Sequence, residues 1–144
     1  MGILNRYKSI EQAVVHSKNK FNKSKYLLLA NYTDTDASGY KHASISLKPN
    51  TTYKVSIVRY FGWTGSEGGV LLISGNATVA AGYTSIANVS YPNINNSPYT
   101  TGADGLLYIG YHPTTTQTQM TNTWDNTNVQ IEEGTVATAY VPYF

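Results

Sequence analysis

Trp63 is the residue whose type and setting point most directly to a chemistry. It stands between glycines in a polar loop at residues 59–69 (RYFGWTGSEGG). An exposed aromatic ring can stack on the apolar face of a sugar, while neighbouring polar groups hydrogen-bond the hydroxyls. Tyr60 and Arg59 begin the same loop, so we predict a saccharide contact at Trp63, Tyr60 and Arg59. The alternatives are packing of Trp63 beneath its loop and a solvated ion pair between Arg59 and Glu67.

Three further aromatic residues are candidates for the same role. Trp124 precedes the last predicted strand, where it either stacks on a ligand or packs at the end of the sheet. Tyr91 and Tyr99 bracket a loop that contains three asparagines. We predict that this loop lines a groove, and the alternative is a flexible loop whose Tyr rings lie on the sheet.

Metal binding and catalysis find little support in the sequence. Residues 34–39 (DTDASG) match the first half of a calcium-binding loop, but Ile45 stands where its bidentate Glu is expected. Glu132 and Glu133 form the one recognisable acidic pair. Adjacent residues of a strand point to opposite faces, whereas a glycosidase needs two carboxylates that flank one bond. The three histidines show neither metal-ligand spacing nor Ser or Asp partners. We predict no metal site and no enzyme.

Charge is divided unevenly along the chain, whose net charge is +2. All ten Lys and Arg lie in residues 1–60 with three acids (10 − 3 = +7), and the remaining residues hold five acids and no base. A basic segment with tyrosines is compatible with nucleic-acid binding. Most of the candidate ligand aromatics, however, lie in the segment without bases, and the net charge is small for a phosphate-binding surface. We therefore predict no nucleic-acid partner.

Two classes of protein are disfavoured by composition. The chain has no cysteine, so it has neither a disulfide framework nor a zinc–thiolate site. Its longest apolar run, residues 26–30, is far shorter than a membrane span, so we predict no membrane insertion.

The pattern of apolar residues predicts many short strands. Strict alternation of Tyr53, Val55 and Ile57 marks the clearest of them. Others are predicted at residues 26–30, 40–47, 70–73, 77–81, 84–89, 106–112, 128–132 and 139–143. Residues 92–101 and 113–122 are predicted as polar loops. Residues 9–12 (SIEQ) resemble a helix capping box, and a short helix or the start of a strand both fit there.

This spacing of strands and turns predicts an all-β fold, an antiparallel β-sandwich of jelly-roll type. A short helix or arm precedes it. We expect two parts: residues 1–20 as an N-terminal arm or linker, and residues 21–144 as the β-sandwich domain.

Four segments resemble one family. Residues 128–140 (NVQIEEGTVATAY) closely resemble the terminal strand of jelly-roll carbohydrate-binding modules in tail and baseplate proteins of phages of Gram-positive bacteria. Residues 19–24 (NKFNKS), 47–56 (LKPNTTYKVS) and 104–110 (DGLLYIG) resemble other parts of the same modules. The resemblance extends from residue 19 to the C-terminus, and its motifs are structural.

The resemblance implies a function and a setting. It implies non-catalytic binding of host cell-wall saccharide by an adhesion module of the virion tail, acting at the host surface. The expected partners are a Gram-positive surface polysaccharide, other virion tail proteins and further copies of the chain, because multivalency strengthens weak sugar binding. Related jelly rolls often carry a structural calcium ion, but no ligand set for one maps onto this chain. The alternative function is an assembly domain of the same fold that binds another virion protein.

Overall fold

A computed structural model describes residues 18–37, 39–59, 71–75, 85–88 and 98–144. Within these ranges the chain is mostly β, with eight strands and one α-helix. The strands are β1 (Asp34–Thr35), β2 (Lys41–Ser46), β3 (Thr52–Arg59), β4 (Leu71–Ser74), β5 (Ser85–Asn88), β6 (Pro98–Thr100), β7 (Leu106–Tyr111) and β8 (Thr127–Glu133). The helix is α1 (Gln117–Asp125), and two 3-10 helices, Lys23–Tyr26 and Leu29–Asn31, precede β1.

The strands form two antiparallel sheets. One has the order β1-β2-β7-β4-β5, in which β1 contributes only two residues, and the other has the order β6-β3-β8. Buried apolar side chains of both sheets belong to one core, with Ile45 and Ile109 from the first and Val55 and Ile131 from the second. A mostly β fold with two antiparallel sheets is therefore confirmed, and one short α-helix is added to it.

The pairing of β3 with β8 confirms the strand that alternation predicts most clearly and the strand predicted at residues 128–132. Tyr53, Val55 and Ile57 are buried on one face of β3, and Val129 and Ile131 are buried on β8. Val55 pairs with Ile131 and Ile57 with Val129, so apolar residues lie opposite one another across the ladder.

The turn before β7 carries the chain from one sheet to the other. β6 belongs to the three-stranded sheet and β7 to the five-stranded sheet, so residues 101–105 do not join neighbouring strands. Gly105 has φ +69°, and a Cβ added there would lie 2.4 Å from the carbonyl oxygen of Leu47. Only glycine fits both constraints without strain. The predicted strand at residues 106–112 is confirmed as β7.

The predicted strand at residues 26–30 is wrong, because this run forms parts of two 3-10 helices. Asn22 precedes the first helix, and its Oδ1 accepts a hydrogen bond from the backbone N of Ser24 at 3.3 Å. Tyr26 is buried, whereas Leu27 and Leu28 are exposed. The apolar run is therefore split between the core and the surface.

Helix α1 lies where the sequence predicts a polar loop, at residues 113–122. Thr116 and Gln119 form a capping box, in which each side chain accepts a hydrogen bond from the other residue's backbone N. Met120, Thr123 and Trp124 are buried. Lys23 donates to the carbonyl oxygens of Trp124 and Thr127 at the other end of the helix, where a cation complements the helix dipole.

The predicted last strand at residues 139–143 is also wrong, because this segment has no regular secondary structure. Side chains of β8 hold it instead of a backbone ladder. The predicted N-terminal helix and the predicted strand at residues 77–81 lie outside the described residues. Asn19 is only 1% exposed, so the described end of the predicted arm is packed into the domain.

Candidate ligand-binding site

Most of the predicted aromatic loop at residues 59–69, and also Tyr91, lie outside the described residues. This holds for Trp63, Tyr60 and Tyr91. Arg59 is the last residue of β3, and its backbone pairs with that of Thr127. Its side chain lies outside the described part of the structure. The saccharide contact at these four residues therefore stays a prediction.

Trp124 packs in the core, which is one of the two alternatives that the sequence left open. Its side chain is 1% exposed, and its ring stacks on Phe21 at a centroid distance of 5.6 Å. The indole Nε1 donates a hydrogen bond to the carbonyl oxygen of Tyr26 at 3.0 Å. Because neither face of the ring is available to a sugar, the expectation of ligand stacking at Trp124 is corrected to a structural role.

Tyr99 bridges the two sheets. It lies on β6 opposite Tyr53, and its ring packs against the core. Its hydroxyl donates to the carbonyl oxygen of Gly75, which follows β4, at 3.2 Å. A Cβ at Gly75 would lie 2.5 Å from that hydroxyl, so glycine permits the close approach. The hydroxyl of Tyr99 thus makes an internal contact.

The calcium-like segment forms a small turn. Asp36 Oδ1 accepts a hydrogen bond from the backbone N of Tyr40, and Asp34 belongs to β1. Ile45, at the twelfth position of the motif, is buried in the core. In the described part of the chain, no three His, Cys, Asp or Glu residues are grouped so that they could hold a metal ion.

A polar groove lies beside residues 43–46 of β2. Its volume is about 370 Å³, which falls within the range of ligand sites. We call it the β2 groove. Its lining residues are Lys20, Asn22, Lys25, Tyr26, Asn31, Thr33, Asp34, Ala43, Ser44, Ile45, Ser46 and Tyr143.

Hydrogen bonds fix one wall of the β2 groove to its floor. Tyr26 donates from its hydroxyl to the carbonyl oxygen of Ser44 on β2 at 3.0 Å. Asn31 Nδ2 donates to the carbonyl oxygen of Lys25 at 3.1 Å, which ties the two 3-10 helices together. The backbone that carries Lys25 is therefore held in place before any ligand binds.

A second depression of about 320 Å³ continues the groove and shares Lys20, Ser46 and Tyr143 with it. Its other lining residues include the apolar Leu47 and Tyr53 and the ion pair between Lys48 and Glu133. The Lys48 Nζ and Glu133 Oε1 atoms are 2.8 Å apart. This contact lowers the pKa of Glu133 and raises the pKa of Lys48. Lys20 lines both depressions, and its charge also lowers the pKa of Glu133.

The C-terminal segment is bound to β8 by a buried polar network. Glu132 accepts hydrogen bonds from the Thr138 hydroxyl at 2.7 Å, the Thr138 backbone N at 3.2 Å and Gln130 Nε2 at 2.6 Å. Gln130 Oε1 accepts from the backbone N of Val141 at 2.8 Å. Burial would raise the pKa of Glu132, but these hydrogen bonds lower it below its usual value. The network holds the segment that carries Tyr143.

Replacement of Glu132 by Gln is expected to lower the free energy of unfolding by about 1 kcal/mol at pH 7. The side-chain nitrogen of the new Gln is a donor, and it would face the donor groups of Gln130 and Thr138. The folded-state pKa of Glu132 is lowered from 4.5, so its contribution is present above pH 4.5 and is lost as the pH falls through the lowered value. Urea unfolding at neutral and acidic pH would measure the difference. A Glu132→Gln difference that stays constant down to pH 2 would contradict this assignment, and Glu133→Gln serves as the exposed control.

Sequence reasoning missed the residues of the β2 groove. Lys23 caps α1, and Lys20 and Lys25 line the groove. The alternation of lysines with Asn22 and the aromatic Tyr26 was the available indication.

Comparisons with known proteins leave the function open. No protein-family model matches the chain, and no match is found among curated proteins. Within the described residues, no helix is long and apolar enough to cross a membrane.

Proposed function

We propose that this chain is a non-catalytic saccharide-binding domain with jelly-roll connectivity, an adhesion module of a phage tail or baseplate that binds the cell-wall polysaccharide of a Gram-positive host. The β2 groove is the observation that carries the proposal. It combines amide, hydroxyl and ammonium groups with the half-exposed ring of Tyr143, which is the composition of a sugar-binding surface.

The family-like terminal segment supports the same function. Residues 128–133 lie in β8, and Gly134 follows with φ +112°, a conformation that favours glycine. The two acids of this segment have internal partners, since Glu132 binds Thr138 and Glu133 pairs with Lys48. Their hydrogen bonds give them structural roles, which fits binding without cleavage.

Binding to purified cell walls tests the proposal. We expect the full chain to sediment with Gram-positive cell walls, to be competed off by the soluble wall polysaccharide and to release no new reducing ends from it. Walls stripped of polysaccharide by acid are the matched control. Equal sedimentation with stripped walls, or none with intact walls, would overturn the saccharide-binding function.

The Trp63 loop is tested in the same assay. Trp63→Ala is expected to weaken wall binding by about tenfold, and Trp63→Phe by less, because the stacking face is retained. Arg59 lies six residues beyond Tyr53 on β3, a separation of about 20 Å along the strand. The end of β3 at Arg59 is thus separate from the depression lined by Tyr53.

An assembly domain is the second candidate, and exposed apolar side chains favour it. Leu27 and Leu28 are 38% and 55% exposed beside Gln117 of α1, where they line a small apolar depression. Apolar patches of this kind often bind other proteins. Failure to bind any cell wall, together with co-purification of a virion tail protein that Leu28→Ser abolishes, would favour assembly over adhesion.

A further inference from the structure

We propose that the β2 groove selects an anionic saccharide chain, one that carries phosphate or carboxylate groups along a polyhydroxylated backbone. This inference rests on the proposed saccharide-binding function and names the ligand class of the groove. Lys20 and Lys25 line the groove together, and Lys20 also lines the second depression.

The ammonium group of Lys25 is available to a ligand. The side chain is exposed, and within the described ranges it has no ion-pair partner. The 3-10 turn beneath it is held by the bond from Asn31 to its carbonyl oxygen, so the charge is presented from an ordered backbone. A charge-assisted hydrogen bond from an ammonium to a phosphate or carboxylate is stronger than a neutral one.

The acids of the two depressions do not cancel this charge. Glu133 is paired with Lys48, and the charge of Lys20 also lowers its pKa. The Glu132 carboxylate accepts hydrogen bonds from Thr138 and Gln130. Asp34 is the acid that lines the β2 groove itself, and its Oδ2 lies 4.0 Å from His42 Nε2. The lining of the β2 groove contains two lysines and one aspartate, a formal charge of 2 − 1 = +1, whereas residues 61–144 are negatively charged.

Neutral groups around the lysines suit a polyhydroxylated ligand. Asn22 uses its Oδ1 for Ser24, and within the described residues its Nδ2 donates no hydrogen bond. Ser44 and Ser46 are exposed on the floor, and Asp34 can accept from hydroxyls. The exposed ring of Tyr143 stands where the two depressions meet, which favours a chain of several units over a single small anion.

The test compares polymers and lysine variants with the full chain. The probes are poly(glycerol phosphate), polygalacturonate and dextran, which carry phosphate, carboxylate and no charge, with single-stranded DNA as a non-saccharide polyanion. Lys25→Gln is expected to weaken binding of an anionic saccharide by about threefold to tenfold, and Lys20→Gln with Lys25→Gln by more. Lys41→Gln, an exposed lysine outside the groove, is the matched control.

Each outcome decides the inference. Binding of poly(glycerol phosphate) or polygalacturonate that is weakened by the groove variants and not by Lys41→Gln supports it, and the polymer that binds identifies the anionic group. Tighter binding of dextran, equal loss in Lys41→Gln, equal binding of single-stranded DNA or no binding of any polymer overturns it. Unchanged cell-wall binding by the Lys20→Gln, Lys25→Gln double variant would overturn the anionic-ligand inference but not the proposed function. No wall binding by the wild type would overturn the proposed function.

Discussion

Trp124→Ala is expected to lower the free energy of unfolding by about 3–5 kcal/mol, the usual cost of removing a large aromatic side chain from a core. The ring is 1% exposed and stacks on Phe21, and the ammonium of Lys23 lies 5.6 Å from the ring centroid. Truncation leaves a cavity and removes one of the two donors to the carbonyl oxygen of Tyr26, the other being the Tyr32 hydroxyl. Urea unfolding followed by circular dichroism measures the loss.

Two controls make this result specific. Trp124→Phe keeps a ring and loses the Nε1 donor, so we expect a smaller loss of about 1–3 kcal/mol, measurable even where the alanine variant does not fold. Tyr143→Ala removes a ring that is 47% exposed and is expected to change stability by less than about 0.5 kcal/mol. A Trp124→Ala variant that is as stable as the wild type but unable to bind cell walls would contradict the structural role and indicate that Trp124 contacts the ligand.

The strands were predictable where burial follows a simple period. In β3 the residues Tyr53, Val55 and Ile57 alternate with polar ones because one face meets the core, and β8 is its partner. Residues 26–30 were wrongly predicted as a strand because their burial follows no simple period. Their apolar character is continuous, but only Tyr26 is buried while Leu27 and Leu28 are exposed, so composition without a period did not indicate the conformation.

Helix α1 was not predicted because most of its residues are polar. Of its nine residues only Met120 and Trp124 are large and apolar, and the helix depends on the capping box of Thr116 and Gln119. The T-x-x-Q spacing is present in the sequence, but threonine-rich segments usually favour strands or loops. Local capping and the burial of Trp124 therefore override weak helix propensity.

The β2 groove could not be predicted because its walls are distant in sequence. Lys20 and Lys25 come from the N-terminal segment and Tyr143 from the C-terminal one, and their proximity depends on side-chain hydrogen bonds to β8. Asn19 donates to the carbonyl oxygen of Val129 on β8, and Gln130 of β8 accepts from the backbone N of Val141. Asn19 is buried, but its position between Lys18 and Lys20 gives no indication of this in the sequence.

Asn19→Ala is accordingly expected to lower the free energy of unfolding by about 2–4 kcal/mol, because several buried backbone groups lose their partner at once. Asn19 Nδ2 donates to the carbonyl oxygens of Val129 at 3.1 Å and Val141 at 3.0 Å. Its Oδ1 accepts from the backbone N of Phe21 and of Ile131, both at 3.0 Å. One amide thus joins the N-terminal segment, β8 and the C-terminal segment.

Asn22→Ala is the matched control for Asn19→Ala. Within the described residues the Asn22 side chain bonds only to Ser24, so we expect a loss of about 1 kcal/mol or less. Urea unfolding compares the two variants, and amide hydrogen exchange at Ile131 should accelerate only in Asn19→Ala, because the acceptor of that N–H is removed. Equal stability of the two variants, or unchanged exchange at Ile131, would contradict the joining role of Asn19. Loss of that junction also frees the segment that carries Tyr143, so Asn19→Ala should weaken groove binding although Asn19 is not among its lining residues.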